Sequence, residues 1–318
     1  MAERKVELYM LAPDNEVLMQ SFVLKTGNGR LIVVDGGMAR TAENQDRAYL
    51  PSALRAIAGV GENGYFEVDA WILTHAHGDH FFELAKMLLQ YTEKSNYKVN
   101  NIYFDFPDVA KTYRIEGIGA LISGLDNYAR VNGIDLFGGS YYDRLNGAVV
   151  NQAAIENGLE LTIDGARIEF LQTYDLSDGT NANEHSLVFR VYAEGQSLIF
   201  LGDLGLNGGR RLLKREGGLK SDMCQMAHHG QDGVERDVYD AIDADVRFWA
   251  TPIWVWSNVR DYQIGEVRSW VNGGADFTKA STCDIVACLY QHYPTDYTSV
   301  KEWERVKEYM KITLPYTP

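Results

Sequence analysis

Residues Ile72 to Leu84 read ILTHAHGDHFFEL, and six consecutive positions within them hold His75, His77, Asp79 and His80. The chain has only seven histidines in 318 residues, so three in one short segment call for a chemical reason. Imidazole and carboxylate are both zinc ligands, and an ion takes three or four such donors. On an extended strand alternate side chains share a face, which sends His75 and His77 the same way. Gly78 permits the sharp bend that follows, and Asp79 is placed to cap the next helix. The segment can thus offer two imidazoles to one ion, and a carboxylate with an imidazole to a second. Four donors cannot close two sites, so more must come from downstream.

They stand at the ends of apolar runs. IFLGDLG ends one at Asp203, whose carboxylate could bridge two ions. MAHHGQ ends another with His228 and His229, and NEHSLVF opens one with His185. Only His292, in LYQHYPTD, stands apart, and it reads as structural.

The elements that must position these residues are visible around them. SFVLKTGNGRLIVVDGG carries two apolar runs about Gly27-Asn28-Gly29, a strong hairpin signal. GLELTIDGARIEFLQT and SLVFRVYAEGQSLIFLGD predict two more hairpins, turning at Asp164-Gly165 and Glu194-Gly195. VDAWIL is a short buried strand feeding the histidine cluster, and HFFELAKMLLQYTE has helical spacing. Further helices are expected over about 42–59, within 111–154, and over the last segment SVKEWERVKEYMKI. SDMCQMA reads as a strand. Strand-rich halves, each with its own helices, predict an α/β protein with two sheets face to face and helices outside. One domain is expected over 1–318.

The order HxHxDH, then GD after a strand, then HHG after a strand resembles the metallo-β-lactamase superfamily. NEHSLVFR, IFLGDLG and DMCQMAHHG resemble most the ComEC-like and phosphorylcholine-esterase-like branch. The resemblance covers about residues 5–235, leaving 236–318 to complete or cap the fold. It implies a four-layer αββα sandwich. It also implies that His75 and His77 hold one metal, that Asp79 and His80 hold the second, and that Asp203 bridges them. One of His228 and His229 would complete the second site, with His229 favoured. The other, His228, would touch the substrate's phosphate or leaving group, so that Asp79 and His228 carry the catalytic assignments. Asp35, at the end of LIVVDGG, would orient a ligand. The chain departs from the family in GTNANEHSL, where the usual histidine ligand lies several residues earlier than His185; either His185 supplies the third donor to the first metal or water does. Zn2+ is the expected ion, and Mn2+ or Fe2+ can occupy such sites.

Two cations about 3.5–4 Å apart can share a hydroxide formed at neutral pH, which then attacks phosphorus or a carbonyl carbon. A phosphodiester or other small phosphorylated substrate is the leading expectation. Lactone, thioester or amide hydrolysis on the same metals is the alternative, and a metal-stabilised binding protein without turnover is a third reading. The net charge of −14 disfavours nucleic acid and anionic membranes as partners, and a small phosphodiester is easier to reconcile with it. GGRRLLKREGGLK, a local basic segment, is either a solvated helix face or an aid to such a substrate. WATPIWVWSN is either a core strand with a loop or a pocket wall, on which Trp254 and Trp256 could hold a quaternary ammonium. Apolar content of 46%, no long apolar span, no signal-peptide pattern and three cysteines without CxxC point to a cytoplasmic globular protein.

Overall fold

The computed structural model of the chain describes residues 5–11, 20–37, 49–107, 118–133, 155–156, 158–215, 217–250, 266–267, 270 and 309–316. In chain order the first part runs β1 (Glu7–Leu11), β2 (Phe22–Lys25), β3 (Leu31–Val34), α1 (Tyr49–Ala58), β4 (Phe66–Val68), β5 (Ala70–Ile72) and α2 (Gly78–Leu89). β6 (Tyr97–Val99), β7 (Ile102–Tyr103) and α3 (Ile118–Asn132) complete it. The second part runs β8 (Glu160–Ile163), β9 (Ala166–Gln172), β10 (Val188–Ala193), β11 (Gln196–Phe200), α4 (Leu206–Leu212), β12 (Met223–Gln225), α5 (Arg236–Ile242) and β13 (Val246–Phe248). A last strand, β14 (Tyr309–Thr313), returns to the first sheet.

Two six-stranded sheets result, in the orders β14-β1-β2-β3-β5-β7 and β13-β12-β11-β10-β9-β8, with β4 and β6 paired apart. The central strands are apolar on both faces, and their period of two divides each between two cores, while β8 and the start of β9 put Glu160, Thr162, Arg167 and Glu169 on their outer face. In β3, Ile32 and Val34 enter the core between the sheets, while Leu31 and Val33 face α1 and α2. In β11, Leu198 and Phe200 face the first sheet, while Ile199 joins the core under α4 and α5. Three apolar layers therefore separate four layers of structure, helices outermost, which is the expected αββα arrangement. Phe22 of one sheet meets Phe200 of the other edge to face at 5.3 Å. Truncating either ring to alanine would cost about 3–5 kcal/mol.

The hairpins turn where the sequence places them. Asp164-Gly165 and Glu194-Gly195 are two-residue turns with positive φ at both positions, the geometry that matches strand twist. Residues 299–308 of the helix expected at the end of the chain lie outside the described residues, and its last four, Tyr309 to Ile312, are corrected to strand. Tyr309–Thr313 is a strand antiparallel to β1, with Leu8 opposite Ile312. Ile312 is buried in the inter-sheet core, and Lys311 pairs with Glu7. The segment's apolar spacing fits period two as well as a helix, and β1 has an edge that needs a partner. The helix expected over 42–59 is described as α1, and the one within 111–154 as α3. Trp254, Trp256 and His292 lie outside the described residues.

Both sheets contain a parallel part. β3, β5 and β7 run parallel, as do β11, β12 and β13. The carboxyl ends of these strands lead into Asp35, His75 and Asp105 in one sheet, and into Asp203 and His228-His229 in the other. The residues singled out for chemistry sit where parallel strands end.

Candidate metal centre

His75 follows closely on β5, and α2 starts at Gly78 with His77 at its N-cap. The cap assignment for Asp79 is corrected: the helix start has no side-chain cap, and Asp79 lies in the first turn with its carboxylate 3.1 Å from His229 Nε2. Gly78 is needed for space rather than for bending, because a Cβ there would stand 2.2 Å from the Phe82 ring. Asp203 follows β11 across Gly202, which has φ +57 and no room for a Cβ beside Thr74. His228 and His229 both adopt left-handed backbone, φ 48 and 54, as does Asp35 at φ 57. Such conformations cost about 1–3 kcal/mol each for residues other than glycine and persist where the surroundings enforce them.

The donors converge in two groups that share one carboxylate. Asp79, His80, Asp203 and His229 bring one ligand atom each to within 4.8 Å of one another, and so do His75, His77 and Asp203. Asp203 Oδ1 is 3.2 Å from His80 Nε2, and its Oδ2 is 3.6 Å from His75 Nε2 and 3.7 Å from His229 Nε2. His75 Nε2 and His77 Nδ1 are 3.0 Å apart. Ligands on one tetrahedral zinc, at bonds of about 2.0–2.1 Å, stand about 3.3 Å from each other, so these spacings fit. His80 Nε2 and Asp203 Oδ1 are buried and face each other at 3.2 Å as an ion pair, with no other hydrogen-bond partner for either atom. A set of imidazoles and carboxylates whose buried inner atoms have only each other for partners is what a divalent cation would satisfy.

Charge and burial point the same way. Burial opposes ionisation of Asp203 and Asp79, yet the surrounding histidines, His80 foremost, hold both carboxyls below the usual range. Burial also opposes a charge on His80, but Asp203, Asp35 and Asp79 together lift it well above an ordinary histidine. His75 and His77 are pushed down by burial, which leaves neutral imidazoles. The pocket thus gathers buried anions and imidazole lone pairs around His80.

His80 is held from behind. Its Nδ1 lies 2.8 Å from Asp35 Oδ2, and Asp35 also accepts from the Thr74 N–H at 2.8 Å and from the Thr74 hydroxyl. His229 Nδ1 donates to the Ala250 carbonyl at 2.6 Å, which turns Nε2 inward. His228 stands outside both groups: Nδ1 pairs with Asp232 at 3.0 Å, and Nε2 is 4.0 Å from Asp203 and 3.3 Å from Asn183 Nδ2. Burial lowers the His228 pKa, but Asp232 outweighs it and lifts the group to about 9. His228 is thus a cation at the edge of the site.

His185 is not brought into either group. It ends the turn Ala182–His185, buried, with its ring edge-on to Tyr174 at 6.0 Å. The three-donor group therefore lacks the extra histidine that was one of the two expectations for it. The basic segment turns to structure: Arg210, Arg211, Arg215 and Lys220 pair with Glu235, Asp178, Glu169 and Asp243. Asp105, one strand over from Thr74, is buried between the sheets and accepts from the Thr173 hydroxyl; burial pushes its carboxyl up to about 7.

Sequence reasoning missed Thr74, Gln20, Gln225, Asn183 and Asp232. Only Gln225 leaves a signal, as a polar residue inside the apolar run MCQM just before the histidine pair. Thr74 sits between VDAWIL and the histidines, where it reads as an ordinary strand end.

The family model described as the metallo-beta-lactamase superfamily matches residues 17–249. Solved structures similar to the chain include the metallo-beta-lactamase fold protein YhfI from Bacillus subtilis, at 11% identity over 77% of this chain and 85% of that one, TM-score 0.40. CmlA, a diiron beta-hydroxylase from Streptomyces venezuelae, is similar at 12% identity over 83% of this chain and 47% of that one, TM-score 0.43. An archaeal metallo-beta-lactamase superfamily protein from Sulfolobus tokodaii is similar at 18% identity over 62% of each chain, TM-score 0.31. No curated protein matches the sequence.

Proposed function

Because the chain belongs to the metallo-beta-lactamase superfamily, we propose that it is a dinuclear metal-dependent hydrolase of a phosphodiester or other small phosphorylated molecule, in the ComEC-like branch. The observation that carries the dinuclear reading is the single buried carboxylate of Asp203 shared by two donor groups. In this reading His75, His77 and Asp203 hold one cation, and Asp79, His80, Asp203 and His229 hold the other, Zn2+ being the ion that suits such donors best. When bound, the pair supplies an activated water at neutral pH and charge stabilisation for the substrate's oxygens.

The chain's own residues do the rest. Asp35 keeps the His80 ring in place by taking its Nδ1 proton in a hydrogen bond. Ala250 does the same for His229. His228, partly exposed at the edge of the two donor groups and paired through Nδ1 with Asp232, is the group placed to donate to an anionic oxygen or to a leaving group. A proton donor at that edge supports a substrate with an anionic oxygen or leaving group, while the net charge of −14 weighs against long polyanions such as nucleic acid. Among the described residues no helix is long and apolar enough to cross a membrane.

The test combines metal content by mass spectrometry with hydrolysis of bis-p-nitrophenyl phosphate and of a chromogenic lactone. Two equivalents of metal with phosphodiester turnover are expected, and Asp203→Ala and His80→Ala should each abolish it. Lactone turnover alone would move the reading to acyl chemistry. Two bound equivalents without turnover on either would favour a binding protein, and wild-type turnover in either variant would sink the dinuclear mechanism.

A further inference from the structure

The side chain of Gln225 is wholly buried at the end of β12, and it makes an unusual number of bonds. Its Oε1 accepts from the Leu201 and Gly202 N–H groups, both at 2.8 Å. Those are the two residues before Asp203. Backbone N–H groups can only donate, so the orientation of the amide is dictated: Oε1 faces the turn and Nε2 faces away. The two hydrogens of Nε2 serve three acceptors, Gln20 Oε1 at 2.8 Å, the Met226 carbonyl at 2.5 Å and the Gly202 carbonyl at 3.0 Å. Gln20, equally buried, must then present its own Nε2 to Asp35 Oδ2, at 3.1 Å. Asp35 receives that donor, the Thr74 N–H and the Thr74 hydroxyl, so it is an acceptor throughout. Facing such an acceptor at 2.8 Å, His80 Nδ1 must carry a proton, and Nε2 is the nitrogen left for a cation.

The bonds form an almost closed ring. It runs from Asp203 through the 201–202 backbone to Gln225, then Gln20, Asp35 and His80, and it returns to Asp203 across the 3.2 Å between His80 Nε2 and Asp203 Oδ1. That last link is an ion pair between two buried atoms with no other hydrogen-bond partner. The ring crosses from one sheet to the other, so it sets the separation of two donors that no single element holds together.

We propose that Gln225 is a positioning residue for the four-donor metal group, acting through Gln20 and Asp35 on His80 and through the 201–202 turn on Asp203. The inference rests on the dinuclear reading above and adds to it the part that fixes the donor spacing and the protonated nitrogen of His80. Gln225→Glu keeps an acceptor for the two backbone N–H groups but puts a second oxygen against Gln20 Oε1. Gln20 must then turn over and present its own oxygen to Asp35. Gln20→Met removes the relay and leaves the 201–203 turn clamped by Gln225.

The experiment is a cobalt(II) titration of chelator-stripped protein, followed by visible absorption, in a His77→Ala background that leaves only the four-donor group. One equivalent is expected. Adding Gln225→Glu or Gln20→Met should weaken it about 10–100-fold, the usual range for partners that orient metal ligands. Urea unfolding of the metal-free forms is measured alongside, because a purely structural role would shift that midpoint and leave the cobalt affinity alone. Unchanged cobalt affinity in folded Gln20→Met overturns the relay while leaving the metal centre standing. Failure of the His77→Ala protein to bind any cobalt overturns the metal centre itself, and the relay with it.

Discussion

Asp105 gives a quantitative test of the structure away from the donors. Its carboxyl is buried between the sheets beside Thr173, and its pKa is raised from 3.8 to about 7 by burial, against the hydrogen bond from Thr173 that lowers it. A carboxyl raised in the folded state binds its proton more tightly there than in the unfolded chain. Below the unfolded value both states are protonated and the residue has no pH-dependent cost. As pH rises, the unfolded chain gives up the proton first and gains, and above about 7 the cost is complete. Stability contributed by this group is therefore lost as pH climbs from about 4 to about 7. Every tenfold difference in proton affinity between the two states is worth about 1.4 kcal/mol, so the full penalty is about 4 kcal/mol, of which about 2–3 kcal/mol accrues between pH 5 and pH 8. Asp105→Asn removes the titration and keeps a polar partner for Thr173. Urea unfolding of both proteins, metal-free, should show the variant gaining about 2–3 kcal/mol on the wild type from pH 5 to pH 8. The histidines and carboxylates of the site titrate in both proteins and cancel in the difference. Parallel stability profiles over that range would refute the reasoning, by showing that Asp105 is solvated or paired in a way the structure does not contain.

Three other outcomes are expected. Gly230→Ala should destabilise the protein by at least about 3 kcal/mol in urea unfolding, because φ is +75 and a Cβ would fall 1.3 Å from the Trp249 indole nitrogen, which leaves no room to relax; a loss below about 1 kcal/mol would show that Trp249 can move. His228→Gln should keep two equivalents of metal and lower turnover about 100-fold or more, the usual share of a proton donor, since its ring stands outside both donor groups; loss of a metal equivalent would make it a ligand. With three donors in one group and four in the other, metal should be stripped by a chelator in two steps, and each site filled at a hundred times its dissociation constant should add about 2.7 kcal/mol to unfolding. A single cooperative release would argue that the groups are equivalent.

The sequence was most legible where chemistry and local conformation coincide. His75, His77, Asp79 and His80 are close in the chain, and a strand end followed by a helix start is enough to bring them together. Asp203 and His229 were legible only with the histidine cluster in view, because a Gly-Asp at a strand end is by itself an ordinary turn and it is the succession of HxHxDH, GD and HHG at strand ends that singles them out. His185 was misleading for the same reason: its strand end is real, but the turn before β10 aims the ring at Tyr174. Gln20 and Gln225 are 205 positions apart and meet only because the two sheets stack, which no local pattern encodes. Period two and period 3.6 cannot be told apart over YMKIT, so the partner strand β1 decided its conformation, not its own spacing.

That last pairing has a consequence for how the protein is made. β1 leaves the ribosome almost 300 residues before the strand that covers its outer edge. At about 5–20 residues per second this is an interval of roughly 15–60 s. In that time β2 and β3 can pair on the inner side, and the outer row of N–H and C=O groups stays open to any extended segment nearby. Glu7, which in the finished protein is matched by Lys311, is until then a carboxylate on an open edge, accepting from Tyr9 of its own strand and with Lys25 of β2 opposite it on the inner side. A charge in that position discourages a nascent strand from accepting the wrong neighbour, and the lysine that meets it on the outer side arrives only with the right one.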